Sequence, residues 1–148
     1  MFTTIVVGTD DSPTARRAVE AAGELARRFG VETVHVVCGY RPISEPELAH
    51  LAHDLPEEFR MGLSADQGGL AQICASGQHL TAMGLTPVRH LLPTSGAEAM
   101  LDVADQVGAD LIVVGSHGYG AGQRLLHGSV SNKVAHHAPC SVLIVHER

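Results

Sequence analysis

Five short runs rich in β-branched residues, Thr4 to Gly8, Val34 to Cys38, Val88 to Leu92, Leu111 to Gly115 and Ser141 to Val145, alternate with helical patterns. That alternation predicts βαβ units and a parallel sheet. Two of the runs, Ile5-Val6-Val7 and Leu111-Ile112-Val113-Val114, are apolar at every position, as central strands covered by helices on both faces should be. The first helix is framed by Ser12 as N-cap, Pro13 at the first helical position and Gly30 as left-handed exit. Ala15, Ala18, Val19, Ala22, Leu25, Ala26 and Phe29 form its apolar stripe.

A second helix is expected from about Asp66 to Met83, ended by Gly84 and weakened by Gly77. A third opens at Ser95-Gly96-Ala97-Glu98, the spacing of a capping box, and buries Met100, Leu101, Ala104 and Val107 before Gly108. A fourth begins near Ser129 and stops before Pro139, which cannot continue a helix. Between Tyr40 and Gln67 the chain is polar, interrupted by proline and of low periodicity, which reads as a flexible loop or a lid. The expected fold is a single α/β domain over residues 1–148. Its five-stranded parallel sheet is doubly wound, and the order 3-2-1-4-5 would set the loops after strands one and four on either side of a crevice.

At 148 residues a single core would bury roughly 70% of the unfolded chain's surface. Hydrophobic residues at 45% and charged residues at 18% exclude a disordered chain. Asp plus Glu outnumber Lys plus Arg by 16 to 10, for a formal charge of -6, and only five residues are aromatic. Such a surface argues against nucleic acid as a partner. No apolar run approaches the roughly 20 residues of a membrane span, and Met1 is followed by a strand rather than a secretory leader. Cys38, Cys74 and Cys140 are widely spaced and odd in number, as reduced packing thiols would be, so a cytoplasmic location is expected.

Chemistry concentrates after the fourth strand, where the chain runs Gly115-Ser116-His117-Gly118-Tyr119-Gly120-Ala121-Gly122 and reaches Gly128-Ser129 at a helix start. Glycines let backbone amides approach a ligand closely, and a helix N-terminus adds unpaired N–H groups and a positive dipole end. Taken alone, such glycines are also ordinary turn residues. Their position beside Asp10, at the expected reversal of strand order, favours a phosphate site. No Gly-Lys-Ser/Thr closes the loop and no Gly-x-Gly-x-x-Gly follows the first strand, so Walker ATPases and dinucleotide enzymes are disfavoured.

Gly115, Gly118, Gly128 and Ser129 follow the pattern Gly, two residues, Gly, nine residues, Gly-Ser. In that spacing the chain resembles the ATP-binding type of the universal stress protein family. The resemblance extends to Ile5-Val6-Val7-Gly8-Thr9-Asp10-Asp11-Ser12, His35-Val36-Val37, Ala109 to Gly118, and Gly128 to Ser131 through Ala138-Pro139-Cys140. It implies a Rossmann-like fold of the adenine nucleotide alpha hydrolase type and a bound adenine nucleotide, ATP foremost, often with a divalent metal such as Mg2+. Asp10, with Thr9 beside it, would meet the ribose or adenine end, and the backbone near Val36 would read the adenine edge. Gly118, Gly128, Ser129 and Val130 would line the phosphates, and Gly115, Ser116, His117, Arg124 and Ser131 are counted with them as expected nucleotide-binding residues. Where the family opens its third helix with Gly-x-Pro-Ala-Glu, this chain has Thr94-Ser95-Gly96-Ala97-Glu98, which keeps the capping chemistry and changes the lip of the pocket.

Arg124 is the one Lys or Arg between Gly118 and Gly128, placed either to pair with the γ-phosphate or to stay in water; Lys133 lies one turn into the next helix. His117 and His127 lie inside the glycine loop, placed either to reach phosphate oxygens or to stay clear of them. The acids Asp10 and Asp11 suit a phosphate-receiver domain too, but Leu92-Pro93-Thr94 offers no phosphorylatable Asp, and Asp11 is expected in solvent. His50 and His53 would share a helix face without a third metal ligand, and His136-His137 face different sides. No general base or nucleophile is evident, because Ser129 lacks an activating partner, so no catalytic residue is assigned. A regulatory, stress-response binding protein is the expected function, acting on an unknown protein partner. A slow ATPase or adenylyl-transferring enzyme on the same pocket is the alternative. The family also implies a homodimer through residues 141–145, an apolar strand that would otherwise be an uncovered edge.

Overall fold

Segments with no polar side chain to offer water, Ile5–Val7 and Leu111–Val114, occupy the centre of the sheet in the computed structural model, which describes residues 1–53, 67–116 and 128–147. In chain order the elements are β1 Ile5–Gly8, α1 Pro13–Phe29, β2 Thr33–Gly39, α2 Glu45–His53, α3 Gln67–Ala82, β3 Thr86–Leu92, α4 Gly96–Val107, β4 Leu111–Gly115, α5 Ser129–His137 and β5 Ser141–Val145. The strands form one sheet in the order β3-β2-β1-β4-β5. Every neighbouring pair is parallel, with Ile5 in register with Val34 and Leu111, and Leu111 with Ser141.

Alternation along each strand divides the core in two. Ile5, Val7, Val34, Val36, Leu111 and Val113 meet Ala18, Ala22 and Ala26 of α1 and Ile73 and Leu80 of α3. Val6, Val37, Ile112 and Val114 meet Met100, Val103 and Ala104 of α4 and Val134 of α5. The expected doubly wound α/β sheet is therefore the observed one.

Capping residues end the helices where their chemistry requires. The Ser12 hydroxyl accepts from the Ala15 amide at 3.3 Å, and Gly30 closes α1 at φ 71°. The Ser95 hydroxyl accepts from the Glu98 amide at 3.3 Å, and Gly108 closes α4 at φ 62°. Gly77 stands in mid-helix for a packing reason: a Cβ there would collide with the Arg89 guanidinium, which crosses α3 from β3. β3 starts at Thr86, two residues before its expected start, and includes Pro87. Proline is tolerated because β3 is an edge strand, where a missing ladder donor is least costly.

The stretch expected to be a loop or lid contains α2. The Ser44 hydroxyl and the Glu47 carboxylate form a reciprocal box, with the Ser44 amide and hydroxyl donating to Glu47 at 3.0 and 2.9 Å and the Glu47 amide donating back to Ser44 at 3.4 Å. This Ser-x-x-Glu spacing was available in the sequence, masked by Pro46, which suits the first turn of a helix.

Candidate functional site

Helix α1 leaves β1 on one face of the sheet and α5 follows β4 on the other, so the strand order reverses between β1 and β4. The crevice beyond their carboxyl ends is bounded by Thr9 to Ser12 on one side and by Gly115, Ser116 and Gly128 to Ser131 on the other. Gly115 brings the two sides together. A Cβ on it would lie 2.9 Å from the backbone carbon of Thr14, so β4 ends against the first turn of α1.

Ser116 anchors the start of α5. Its amide donates to Val145 O at 2.8 Å, while its carbonyl accepts from the Gly128 amide at 2.7 Å and from the buried Ser131 hydroxyl at 3.3 Å. Ser131 also donates to Gly128 O at 3.0 Å. These bonds fix Ser116, Gly128 and Ser131, where the expected phosphate loop begins and ends. Gly128 is the N-cap of α5 with extended dihedrals, φ -62° and ψ 145°, and it has no side chain to cap the helix. Serine caps α1, α2 and α4; among the described residues, glycine at the N-cap gives the first amides of α5 no side-chain cap. An anion is the natural partner for such a helix end.

On the opposite side, Asp10 Oδ1 accepts from the Ser12 amide at 2.9 Å, which turns the chain into α1. Thr9 is buried: its amide donates to Val37 O at 2.9 Å and its hydroxyl shares a 2.8 Å hydrogen bond with Ser76 of α3. Asp11 departs from expectation. It is held half-buried at φ 60°, gripped by the Arg16 guanidinium through Nε to Oδ1 and Nη2 to Oδ2, both at 2.9 Å. Arg16 Nε also donates to the Asp11 carbonyl at 3.2 Å, so a short loop in a left-handed turn is tied on both atoms.

Val36 lies deeper than the other expected contacts, buried in mid-strand between Val7 and Arg89. The carboxyl end of β2 is formed by Cys38 and Gly39. The Cys38 thiol donates to Gln72 Oε1 at 3.3 Å, and burial, together with the Asp10 charge, pushes its pKa up to about 11. Cys38 is thus a protonated packing thiol, as expected of all three cysteines, none of which is bonded to another.

Gln72 and Ser76, one turn apart on α3, are neighbours of the crevice that sequence reasoning missed. Ser76 shares the helix face of Ile73 and Leu80, and a buried polar residue on an apolar face is the signal that marks it. Lys133 does not stand free beside the crevice. Its ammonium pairs with Glu98 Oε1 at 3.0 Å, while Thr94 donates to Glu98 Oε2 at 2.6 Å. Hydrogen bonds from Thr94 and Lys133 hold the Glu98 carboxyl at about 2, well below its usual 4.5.

The expected contacts His117, Gly118 and Arg124, and His127 with them, lie outside the described residues. Among the described residues, no group of three or more His, Cys, Asp or Glu could hold a metal ion, and no helix is long and apolar enough to cross a membrane.

A parallel sheet wound on both faces, with its crevice at the reversal of strand order, defines a Rossmann-like α/β protein. A family model described as the Universal stress protein family matches residues 1–146, and the chain belongs to that family. The "Universal stress protein in QAH/OAS sulfhydrylase 3'region" of Thermus aquaticus is 36% identical over 150 residues, covering 98% of this chain and 99% of that protein. A universal stress protein solved in complex with cAMP is 30% identical, with a TM-score of 0.72 and coverage of 99% of each chain. The Archaeoglobus fulgidus universal stress protein in complex with dAMP shares the fold at a TM-score of 0.67 and 23% identity over 97% of each chain.

Proposed function

We propose that this chain binds an adenine nucleotide, ATP foremost, in the crevice between β1 and β4, and works as a cytoplasmic stress-response regulator whose partner association changes with nucleotide occupancy. The observation that carries the reading is the N-terminus of α5, where Gly128 replaces the serine cap used by the other capped helices. Phosphate oxygens would take the amides that no described side chain caps, with Gly118, Ser129, Val130 and Ser131 around them. His117 and Arg124 lie in the same segment. Asp10, beside Thr9, would meet the ribose, and the backbone of β2 beyond Val36 would meet the base. A Mg2+ ion would arrive on the phosphates it already coordinates. The cAMP bound by the relative at 30% identity supports an adenine ligand. The working unit would be a homodimer joined through residues 141–145, built from a single domain spanning 1–148.

Calorimetric titration of ATP and AMP into the protein and into the Asp10→Ala and Gly118→Val variants tests the site. Binding to the parent protein that is weakened in both variants is the expected result; equal affinity in all three would overturn it. Phosphate release with Mg2+ is expected to be no faster than from Gly118→Val, since no described residue near the crevice supplies an activated base.

A further inference from the structure

On the α4 side of the sheet, away from the crevice, two imidazoles meet across adjacent strands. His35 of β2 is in register with Val88, and His90 of β3 with Val37, so the two histidines are diagonal neighbours on one face. His35 Nδ1 lies 3.0 Å from His90 Nε2, with ring centroids 5.2 Å apart and planes tilted by 35°. Both are half-buried, while Val88 beside them is 38% exposed, so α4 leaves this corner of the sheet open. His35 also borders an open groove of about 430 Å³ with Phe2, Thr4, Glu32 and Thr33, which gives water and ions access to it.

We propose that His35 and His90 form a two-imidazole chelating site for a divalent first-row transition-metal ion of the nickel(II) or copper(II) kind, which locks β3 to β2. The imidazole ligands set the class of ion. With metal–nitrogen bonds of about 2.0–2.1 Å, two ligands at right angles span about 2.9 Å, and two at the tetrahedral angle about 3.4 Å. The 3.0 Å between the two nitrogens is their hydrogen bond and falls within this range, so ring rotations that turn both lone pairs onto one ion leave the strands in place, and among imidazole-binding divalent ions affinity rises through nickel(II) to copper(II).

Parallel strands bonded along seven residue pairs already hold both ligands, so little order has to be gained on binding. In the metal-free protein one ring donates its N–H to the other. On chelation that ring moves its proton to its outer nitrogen, and both facing nitrogens present lone pairs to the ion with no net loss of a proton. No third protein ligand is present among the described residues, so water completes the coordination shell.

The test is thermal unfolding with and without NiCl2 at neutral pH, each protein compared with its own metal-free midpoint. The parent protein and a His136→Asn control, altered at an exposed histidine, should rise together, because an ion bound only to the folded state stabilises it. His35→Asn and His90→Asn should each lose most of that rise. Equal shifts in all four would show nickel on surface histidines and overturn the proposal. Should either variant fold poorly, imidazole NMR of the parent protein decides: the His35 and His90 ring signals must broaden at lower nickel than those of the exposed histidines. Simultaneous broadening overturns the site. Neither readout depends on nucleotide.

Discussion

Asp10 has one observed task and one proposed task, which substitution can separate. Its Oδ1 holds the Ser12 amide at 2.9 Å, and under the proposed function its carboxylate would meet the ribose. Asp10→Ala removes both and should lower stability by about 1 kcal/mol through the lost hydrogen bond, whereas Asp10→Asn keeps an acceptor and should stay close to the parent protein in urea unfolding. Equal stability of the two variants would remove the turn from the account. Glu98 carries a pH signature instead. Its carboxyl is held at about 2 in the folded chain against 4.5 ordinarily, so its stabilising effect is complete above pH 4.5 and declines as pH falls towards 2. The gap in urea midpoint between the parent protein and Glu98→Gln should therefore narrow from pH 7 to pH 3. A gap independent of pH would mean that the Thr94 and Lys133 bonds do not act through the charge.

Among the elements, those legible in the sequence are the ones whose ends carry their own chemistry. Ser12, Pro13 and Gly30 delimit α1 within the chain itself, and Ser95, Glu98 and Gly108 do the same for α4. Legibility failed where tertiary contacts decide. Gly77 reads as a helix-weakening residue until Arg89 is seen lying across it, and the ties of Gln72 and Ser76 to Cys38 and Thr9 join residues 34 and 67 positions apart. Asp11 looked exposed because nothing local announces that Arg16 folds back onto it. The two walls of the candidate site were readable from glycine spacing and strand order, but the absence of a side-chain cap on α5 became evident only beside the serine caps of its neighbours. Gly115 gives the element-scale prediction. Its missing Cβ lets β4 end against Thr14 and Ala15, whose backbone atoms would lie 2.9 and 3.0 Å from an added methyl. Gly115→Ala should cost about 1–3 kcal/mol in urea unfolding, because backbone on both sides must shift. An unchanged midpoint would show that α1 moves freely against the sheet.

For the whole molecule, the sheet has two edges of unlike character, and the difference bears on assembly. β3 carries Pro87, which has no N–H to offer a new strand, and the exposed Arg89; both discourage edge pairing. β5 reads Ser141-Val142-Leu143-Ile144-Val145, without proline or charge, and Leu143 is 37% exposed. Val142 and Ile144 are committed to the core on the α5 side, leaving Leu143 on the other face for a partner to cover. Two copies of β5 meeting about a two-fold axis would satisfy both backbone edges with one self-complementary contact. Since Ser116 donates to Val145 O, the same contact would brace the strand to which the Ser116 side of the crevice is tied. Sedimentation equilibrium should therefore give the mass of two chains for the parent protein. Leu143→Lys, which places a charge on the edge, should give the mass of one, with its circular dichroism unchanged. A folded Leu143→Lys that remains a dimer would move the interface elsewhere, and a monomeric parent protein would mean that β5 is left unpaired.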